Sequence, residues 1–212
     1  MSQLVSNQEL GLVNEYSGKS VLITGGASFI GSHLAEELVS CGANVVIVDD
    51  LSSGRIENLA PIADEVRVEI FNARDTARML NVAQGCDAAF HLAATHGGRG
   101  YIDTHPVECV SNMALDYDVF STLAHADVSR IIHASSACAY PTTLQDSATD
   151  RGLLSESQAN FQELGCAFPD GEYGWGKLMG ELQIQAIQKQ FGIHTIAARI
   201  FTAYGERENL SH

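Results

Sequence analysis

Six short apolar runs alternate with helical stretches along most of the chain, and this alternation restricts the possible folds most strongly. The runs predict strands over residues 21–24, 44–49, 66–70, 87–94 (with the loop that follows), 130–135 and 194–200. Apolar periodicity predicts helices over about 29–40, 75–82, 106–126 and 173–191. Because the strands are apolar on both faces, helices must cover both sides of a parallel sheet. The sequence therefore predicts an α/β fold with a doubly wound parallel sheet.

Composition narrows the class of protein. Of the 212 residues 45% are hydrophobic, so the chain can bury a sizeable core without disulfides or metals. A formal net charge of −14 opposes contact with a phosphate backbone, which argues against a nucleic-acid partner. No apolar run approaches the roughly 20 residues that cross a bilayer, and no signal peptide is present, so we expect a soluble cytoplasmic protein without a membrane partner. The five cysteines are scattered along the chain, which predicts reduced thiols. The histidines lack the spacing of metal ligands, which predicts no metal site.

The segment TGGASFIGSHL joins the first predicted strand to the first predicted helix. Gly25 and Gly26 permit a tight turn, Gly31 permits close packing of the helix on the sheet, and the helix N-terminus attracts an anion. Asp49 ends the second strand, 18 residues after Gly31. A carboxylate there accepts hydrogen bonds from an adenosine ribose and repels a 2′-phosphate. This context predicts a dinucleotide site that favours NAD over NADP.

Tyr173 and Lys177 lie four residues apart at the start of a predicted helix, so their side chains share one face. A nearby ammonium and a positively charged nicotinamide lower the pKa of a phenol from about 10, which would make Tyr173 usable as a base. The fifth strand ends in HASSACAY, where Ser135 or Ser136 is placed to share a substrate hydroxyl with Tyr173. A surface Tyr/Lys pair and a serine pair that caps a strand remain the alternatives.

The motifs TGGASFIGSHL, VVIVDDLSSG, FHLAA, HASSACAYP, YGWGK and RIFTAYGER together resemble the extended short-chain dehydrogenase/reductase family, specifically its NAD-dependent nucleotide-sugar epimerases and dehydratases. The resemblance covers nearly all of residues 19–207 and implies a Rossmann-type fold. It implies a catalytic triad of Ser136, Tyr173 and Lys177, with Lys177 also holding the nicotinamide ribose. The NAD-binding positions that it implies are Gly25, Ser28, Phe29, Ile30, Gly31, Asp49, Asp50, Leu51, Asn72, Ala73, Leu92, Ala93, Ala94, Tyr173 and Lys177.

Four positions depart from the family pattern, among them Glu206, where proline is usual. Ser28 stands where the family usually has glycine, so the glycine fingerprint is incomplete, although a serine is small enough to be tolerated. Asn72 replaces an aspartate near the adenine and keeps a hydrogen-bonding side chain. Thr202 replaces an asparagine that commonly meets the nucleotide sugar. We assign Thr202 and Ser136 to the substrate site as an expectation from this resemblance.

The residues that follow Ser136 separate the possible sugar chemistries. Ala137 and Cys138 occupy the positions of an acidic pair in the 4,6-dehydratases, so we rank that activity low. The strand end also resembles that of GDP-mannose 3,5-epimerase, in which the cysteine is an acid/base, although the lysine that partners it is absent. We prefer epimerisation of a nucleotide sugar at C4 through a transient ketone. A double epimerase that uses Cys138 and a non-catalytic NAD-binding module or sensor remain alternatives.

The chain length predicts an incomplete enzyme. We interpret residues 1–18 as an N-terminal leader and 19–212 as an NAD-binding domain, because family members continue into a smaller substrate domain that is largely absent here. The long loop over 141–170 predicts a lid or an edge of the substrate site. By analogy with the family, the stretches 106–126 and 173–191 predict a homodimer.

Overall fold

The structure, a computed structural model, describes residues 11–144 and 153–208. Its six strands are β1 (Ser20–Thr24), β2 (Asn44–Asp49), β3 (Val66–Ile70), β4 (Ala88–His91), β5 (Arg130–Ser136) and β6 (His194–Ile200). They form one sheet in the order β3-β2-β1-β4-β5-β6, and each neighbouring pair is parallel. The predicted Rossmann-type doubly wound sheet is confirmed, and its order reverses between β1 and β4.

Seven α-helices lie among the described residues. They are α1 (Leu12–Tyr16), α2 (Phe29–Ser40), α3 (Thr76–Ala83), α4 (Arg99–Thr104), α5 (Pro106–Val110), α6 (Asn112–His125) and α7 (Gly171–Phe191). Short 3₁₀ helices occupy Ile56–Ile62, Ala137–Ala139, Thr142–Leu144 and Glu156–Gln158. None of the helices in this described part of the chain is both long and apolar enough to span a membrane.

Local sequence explains where the helices begin and end. The Asp75 carboxylate accepts a hydrogen bond from the backbone N–H of Arg78 at 3.1 Å and so caps α3. Helix α7 ends at Gly192, whose φ of 73° is a left-handed conformation that costs glycine little. These signals are local, so the predicted boundaries of both helices lie within two residues of the observed ones.

The single helix predicted over 106–126 is wrong, because Ser111 separates α5 from α6. The N–H of Ala114 donates to the Ser111 carbonyl at 3.0 Å, which tightens the backbone at the break. Directly after it, the Asn112 side chain accepts from the Thr95 N–H at 2.7 Å and donates to the Thr95 carbonyl at 2.8 Å. The break thus accompanies a contact with the loop after β4, which helical periodicity does not report.

Two apolar cores lie on opposite faces of the sheet. Leu22 belongs to the core that α3, α6 and α7 cover, which also contains Phe120. Ile23, the next residue of β1, belongs to the core that α2 covers, which also contains Leu38. Successive strand side chains point to opposite faces, so one buried strand supplies both cores. Burial on both faces therefore explains the continuous apolar runs.

Two predicted segments are only partly described. Residues 1–10 of the predicted leader lie outside the described residues. The described end of that segment packs on the domain: the Tyr16 and Phe90 ring centroids are 6.2 Å apart, and Glu15 forms an ion pair with Arg130. Residues 145–152 of the predicted lid also lie outside the described part. The carboxyl ends of β1, β4 and β5 meet at one edge of the sheet, where a doubly wound fold binds its ligands.

Candidate active site

A cavity of about 230 Å³ opens at the carboxyl edge of the sheet, beside the point where the strand order reverses. Its wall combines the turn after β1 with the ends of β2, β3 and β4. Among the candidate cofactor residues, those that line it are Gly25, Ser28, Asp49, Asp50, Asn72, Ala73, Leu92, Ala93 and Ala94. Gly31 lies beneath the turn, and Leu51 contributes its backbone N–H to Asp49. The predicted dinucleotide residues therefore gather around one crevice.

The glycine turn is built for close backbone approach. A Cβ on Gly25 would lie 2.8 Å from the Ala93 nitrogen, and the residue has a φ of 74°. A Cβ on Gly31 would lie 2.2 Å from the Gly25 carbonyl oxygen, a contact that no side chain tolerates. Both glycines are therefore required by the packing of β1, α2 and the loop after β4.

Ser28 fits the turn without strain, because its φ of −83° is ordinary extended backbone. Its hydroxyl donates to the Gly25 carbonyl at 2.6 Å rather than capping α2. The N-terminus of α2 therefore keeps backbone N–H groups and a positive dipole end for an anion such as a pyrophosphate. The backbone of the turn therefore accommodates serine at position 28.

Asp49 connects the first turn to the loop after β2. One carboxylate oxygen accepts from the Ala27 N–H and the other from the Leu51 N–H, each at 2.9 Å. Burial raises the pKa of Asp49, and the two backbone hydrogen bonds oppose that rise. Nearby, the Asn72 amide donates to Asp50 at 3.0 Å at the exposed rim of the cavity. Asp49 thus both organises the turn and presents a carboxylate edge to the crevice.

A second cavity of about 600 Å³ continues from the first, and both are lined by Ser28, Ser53, Leu92, Ala94 and His96. It contains each candidate catalytic residue together with the candidate substrate residue and two further cofactor candidates: Ser136, Cys138, Tyr173, Lys177, Thr202, Phe29 and Ile30. The two cavities together are a continuous groove from the Asp49 carboxylate to the Tyr173 phenol. A groove of this kind suits an extended two-part ligand such as a dinucleotide.

Glycines in the YGWGK motif let α7 approach the end of β5. A Cβ on Gly174 would lie 2.5 Å from the Cys138 carbonyl oxygen, and one on Gly176 would lie 3.2 Å from the Cys109 carbonyl oxygen. This approach brings Tyr173 close enough to Ser136 for the serine hydroxyl to influence the pKa of the phenol. The end of β5 and the start of α7 thus line the same cavity.

The pKa of Tyr173 moves in the opposite direction from the one expected. Burial raises it most, and the nearby Cys138 adds to the rise, whereas the hydrogen bond from Ser136 opposes it. The expected lowering by Lys177 does not occur in the chain alone. The Lys177 ammonium donates to the Ala134 carbonyl at 2.8 Å and lies 5.9 Å from the centroid of the Tyr173 ring. Burial of the phenol outweighs an ammonium at that distance.

Of the two serines at the strand end, Ser136 is the one that influences the pKa of Tyr173. Ser135 donates instead to the buried Glu181 carboxylate at 2.5 Å. Glu181 also accepts two hydrogen bonds from Arg199, at 2.9 and 2.7 Å. Sequence reasoning missed this network, because β5, α7 and β6 each contribute one member.

A second missed cluster lies deeper, under α7. His91 of β4, Asp116 of α6 and His133 of β5 are completely buried, and their nearest ligand-type atoms lie within 4.8 Å of one another. These residue types also bind metal ions in proteins. Because the three residues come from three elements, motif spacing in the sequence carries no signal of their proximity.

Comparison with known proteins places this site in context. Residues 21–212 match the model of the NAD dependent epimerase/dehydratase family. A GDP-mannose 3,5-epimerase of Arabidopsis thaliana is 32% identical over 186 residues, which cover 87% of this chain and 47% of that protein. A UDP-N-acetylglucosamine 4-epimerase of Methanobrevibacter ruminantium, solved with UDP-N-acetylmuramic acid, is 27% identical with a TM-score of 0.76 and is matched over 91% of this chain and 58% of that one.

A UDP-glucose 4-epimerase of Brucella ovis, solved with NAD, has a TM-score of 0.74 and 25% identity, over 89% of this chain and 53% of that one. The chain therefore spans about half the length of the relatives it matches, 47% of the Arabidopsis protein and 53% of the Brucella chain. The family model matches residues 21–212, which is nearly all of this chain. The matched residues include those that line the groove from the glycine turn to the Ser136, Tyr173 and Lys177 side chains. The chain belongs to the NAD dependent epimerase/dehydratase family.

Proposed function

We propose that the complete protein epimerises a nucleotide sugar at C4 through a transient ketone, using tightly held NAD. One observation carries this proposal: Ser136, Tyr173 and Lys177 converge in a cavity that is continuous with the dinucleotide crevice. Hydride transfer requires a sugar carbon and a nicotinamide ring to meet beside an acid/base group. The groove supplies such a meeting point at Tyr173.

The residues present fit NAD. Gly25 and the uncapped N-terminus of α2 suit the pyrophosphate, and Asp49 suits the hydroxyls of the adenosine ribose. The side chains beside Tyr173 would surround the nicotinamide half. When bound, NAD supplies a hydride acceptor and a positive charge near the phenol.

Tyr173 is the acid/base group in this proposal. Its oxygen takes the proton of the sugar 4-hydroxyl and later returns it, while Ser136 orients that hydroxyl. Because burial raises the pKa of Tyr173 in the chain alone, the residue rests as a neutral phenol. It becomes a base only when positive charge accumulates nearby, which couples proton removal to a loaded site. Lys177 contributes part of that charge and holds the nicotinamide ribose.

Cys138 supports a second candidate function. Its side chain lines the same cavity, and its charge raises the pKa of Tyr173, so the two groups are near each other. A relative at 32% identity is a GDP-mannose 3,5-epimerase. In this alternative the Cys138 thiolate removes a proton from a ring carbon next to the ketone, the resulting enediolate turns in the site, and the Cys138 thiol then returns a proton to the other face.

We also propose that the protein is a homodimer whose subunits meet through α5–α6 and α7. Apolar side chains remain exposed on these helices: Val107 (73%), Val110 (38%), Tyr117 (62%), Leu182 (39%) and Phe191 (41%). Exposed apolar patches of this kind mark association surfaces. Sedimentation of the complete protein tests this, since Tyr117→Lys should shift a dimer towards the monomer.

The test of the catalytic proposal is a screen of nucleotide sugars with the NAD-loaded complete protein in deuterated water. A C4 epimerase returns the same hydride, so its product carries no deuterium on carbon. Chemistry at Cys138 exchanges a ring C–H with solvent, so that product carries deuterium beside the former ketone. NAD binding without any product would favour a non-catalytic module and would refute the proposal. Cys138→Ser provides the matched variant, because only the second mechanism needs the thiol.

A further inference from the structure

Three buried side chains beneath α7 form a cluster, the buried His/Asp cluster, made of His91, Asp116 and His133. Each is 0% exposed. His91 Nε2 lies 3.0 Å from Asp116 Oδ1, and His133 Nε2 lies 3.9 Å from Asp116 Oδ2. A charge at such depth is costly unless neighbouring groups compensate it. A negative charge on Asp116 must therefore be balanced by groups close to it.

His91 connects Asp116 to the loop after β4. Its Nε2 lies 3.0 Å from Asp116 Oδ1, and its Nδ1 lies 2.6 Å from the Thr24 hydroxyl oxygen. The Thr24 oxygen in turn accepts the Ala93 N–H at 3.4 Å. This chain of hydrogen bonds runs from the loop of the cofactor crevice to the carboxylate and fixes the orientation of Asp116.

His133 is neutral near physiological pH, because burial lowers its pKa to about 3. Burial raises the pKa of Asp116, but the hydrogen bond with His91 and the positive charge of Lys177 help to hold it below its ordinary value, so Asp116 remains charged. Asp116 Oδ2 has no hydrogen-bond partner among the described residues. The buried Asp116 carboxylate is thus stabilised by any cation that lies nearby.

Lys177 is an ammonium close enough to lower the pKa of Asp116. The Lys177 ammonium donates to the carbonyl of Ala134, the residue next to His133. One turn further along α7, a Cβ on Gly180 would lie 2.4 Å from Asp116 Oδ2 and 2.7 Å from His133 Nε2. The glycine lets the face of α7 that bears Lys177 rest directly on the cluster.

Two other titratable groups of α7 near Lys177 are either neutral or already paired. Tyr173, on the same helix, is held neutral by burial, which raises its pKa. Glu181, one turn further along, is paired with Arg199. Burial lowers the pKa of Lys177, and Asp116 is the group that opposes this.

We propose that Asp116, oriented by His91, is a positioning residue that keeps Lys177 protonated beside Tyr173. Its catalytic meaning rests on the proposed function, but the ionic state of Lys177 is measurable without any sugar turnover. A protonated Lys177 is the form that can donate to a ribose and add positive charge near the phenol. The effect of Asp116 on catalysis is therefore indirect and depends on pH.

The experiment is a pH titration by NMR of the complete protein, with lysine isotope-labelled at Cε. Lys177 is one of three lysines in this chain, and its signal is the one that Lys177→Arg removes. We expect Asp116→Asn to lower the Lys177 titration midpoint by at least about one pH unit, which is a tenfold loss of proton affinity. The matched control is Asp127→Asn, because Asp127 is exposed and has a φ of 57°, which asparagine adopts readily. This control should move the Lys177 titration midpoint by less than about 0.3 pH unit.

A thermal unfolding scan identifies a variant that fails to fold, and Asp116→Ser then removes the same charge with a smaller side chain. In an active protein, the alkaline limb of the rate profile should also shift to lower pH in either variant, whereas a merely structural loss lowers the rate equally at all pH values. An unchanged Lys177 midpoint in a folded Asp116 variant would overturn the proposal. Stoichiometric bound metal that Asp116→Asn removes would overturn it too, because a metal ion would then balance the carboxylate. The Lys177 titration and the measurement of bound metal can both be made without knowing which sugar the enzyme uses.

Discussion

Replacing Glu181 by glutamine should destabilise the fold strongly, because it leaves the Arg199 charge without its carboxylate. The two side chains are 4% and 12% exposed, and two hydrogen bonds of 2.7 and 2.9 Å join them. Removing one member of a buried pair costs about 3–5 kcal/mol. Arg199 keeps hydrogen bonds to the carbonyls of Glu156 and Ala159 and stacks 4.7 Å over the Tyr140 ring, so we expect the lower end, about 3 kcal/mol.

The assay is thermal and chemical unfolding of the wild type and of the Glu181→Gln variant. For a domain of 150–250 residues each kcal/mol shifts Tm by about 2–4 °C, so the variant should melt about 6–12 °C lower. A cycle with Arg199→Gln should give a coupling of about 2 kcal/mol, because the double variant removes both charges. Glu65→Gln, at an exposed turn, is the control and should stay within about 0.5 kcal/mol. A loss below about 1 kcal/mol for Glu181→Gln would refute this account of the network.

Three further predictions concern the turn and the cluster. Gly31→Ala places a methyl group 2.2 Å from the Gly25 carbonyl oxygen and should weaken dinucleotide binding at least about tenfold in calorimetry, whereas Gly100→Ala, with nothing within 4 Å, should not. Ser28→Gly should change NAD affinity by less than about threefold, and a larger gain would show that the Ser28 side chain weakens binding. His133 has a folded pKa of about 3 against 6.5 unfolded, so the unfolded chain binds the extra proton and stability falls as pH drops through that interval. His133→Gln should remove up to about 1.4 kcal/mol per pH unit of that slope in urea titrations between these limits, and parallel curves would contradict it.

Local patterns were enough to predict the sheet and most helix boundaries. Strands 44–49, 66–70 and 194–200 are observed at the predicted residues, because runs of apolar residues indicate strands in a parallel sheet. The glycine turn and the helix that begins with YGWGK could also be predicted, because each has a short continuous sequence pattern. The break at Ser111 was not, since it accompanies a contact between Asn112 and a distant loop.

The missed features of the site depend on elements that are far apart in sequence. Glu181 and Arg199 lie on α7 and β6, and Asp116 meets His91 only after three elements pack. The direction of the pKa of Tyr173 was likewise hidden, because it depends on how deeply the phenol is buried. Sequence spacing reports which groups share a helix face, whereas burial and cross-element contacts decide their ionic state.

The most direct test of the central claim is a rapid-mixing measurement of the NAD-loaded complete protein with its nucleotide sugar. Reduced nicotinamide is followed by absorbance, and the epimeric product by NMR. We expect the Tyr173→Phe variant to lose at least about 100-fold in the rate of cofactor reduction while NAD affinity is unchanged, since only the proton transfer is removed. A Tyr173→Phe variant that reduces its cofactor at more than about a tenth of the wild-type rate would contradict the assignment of Tyr173 as the acid/base group.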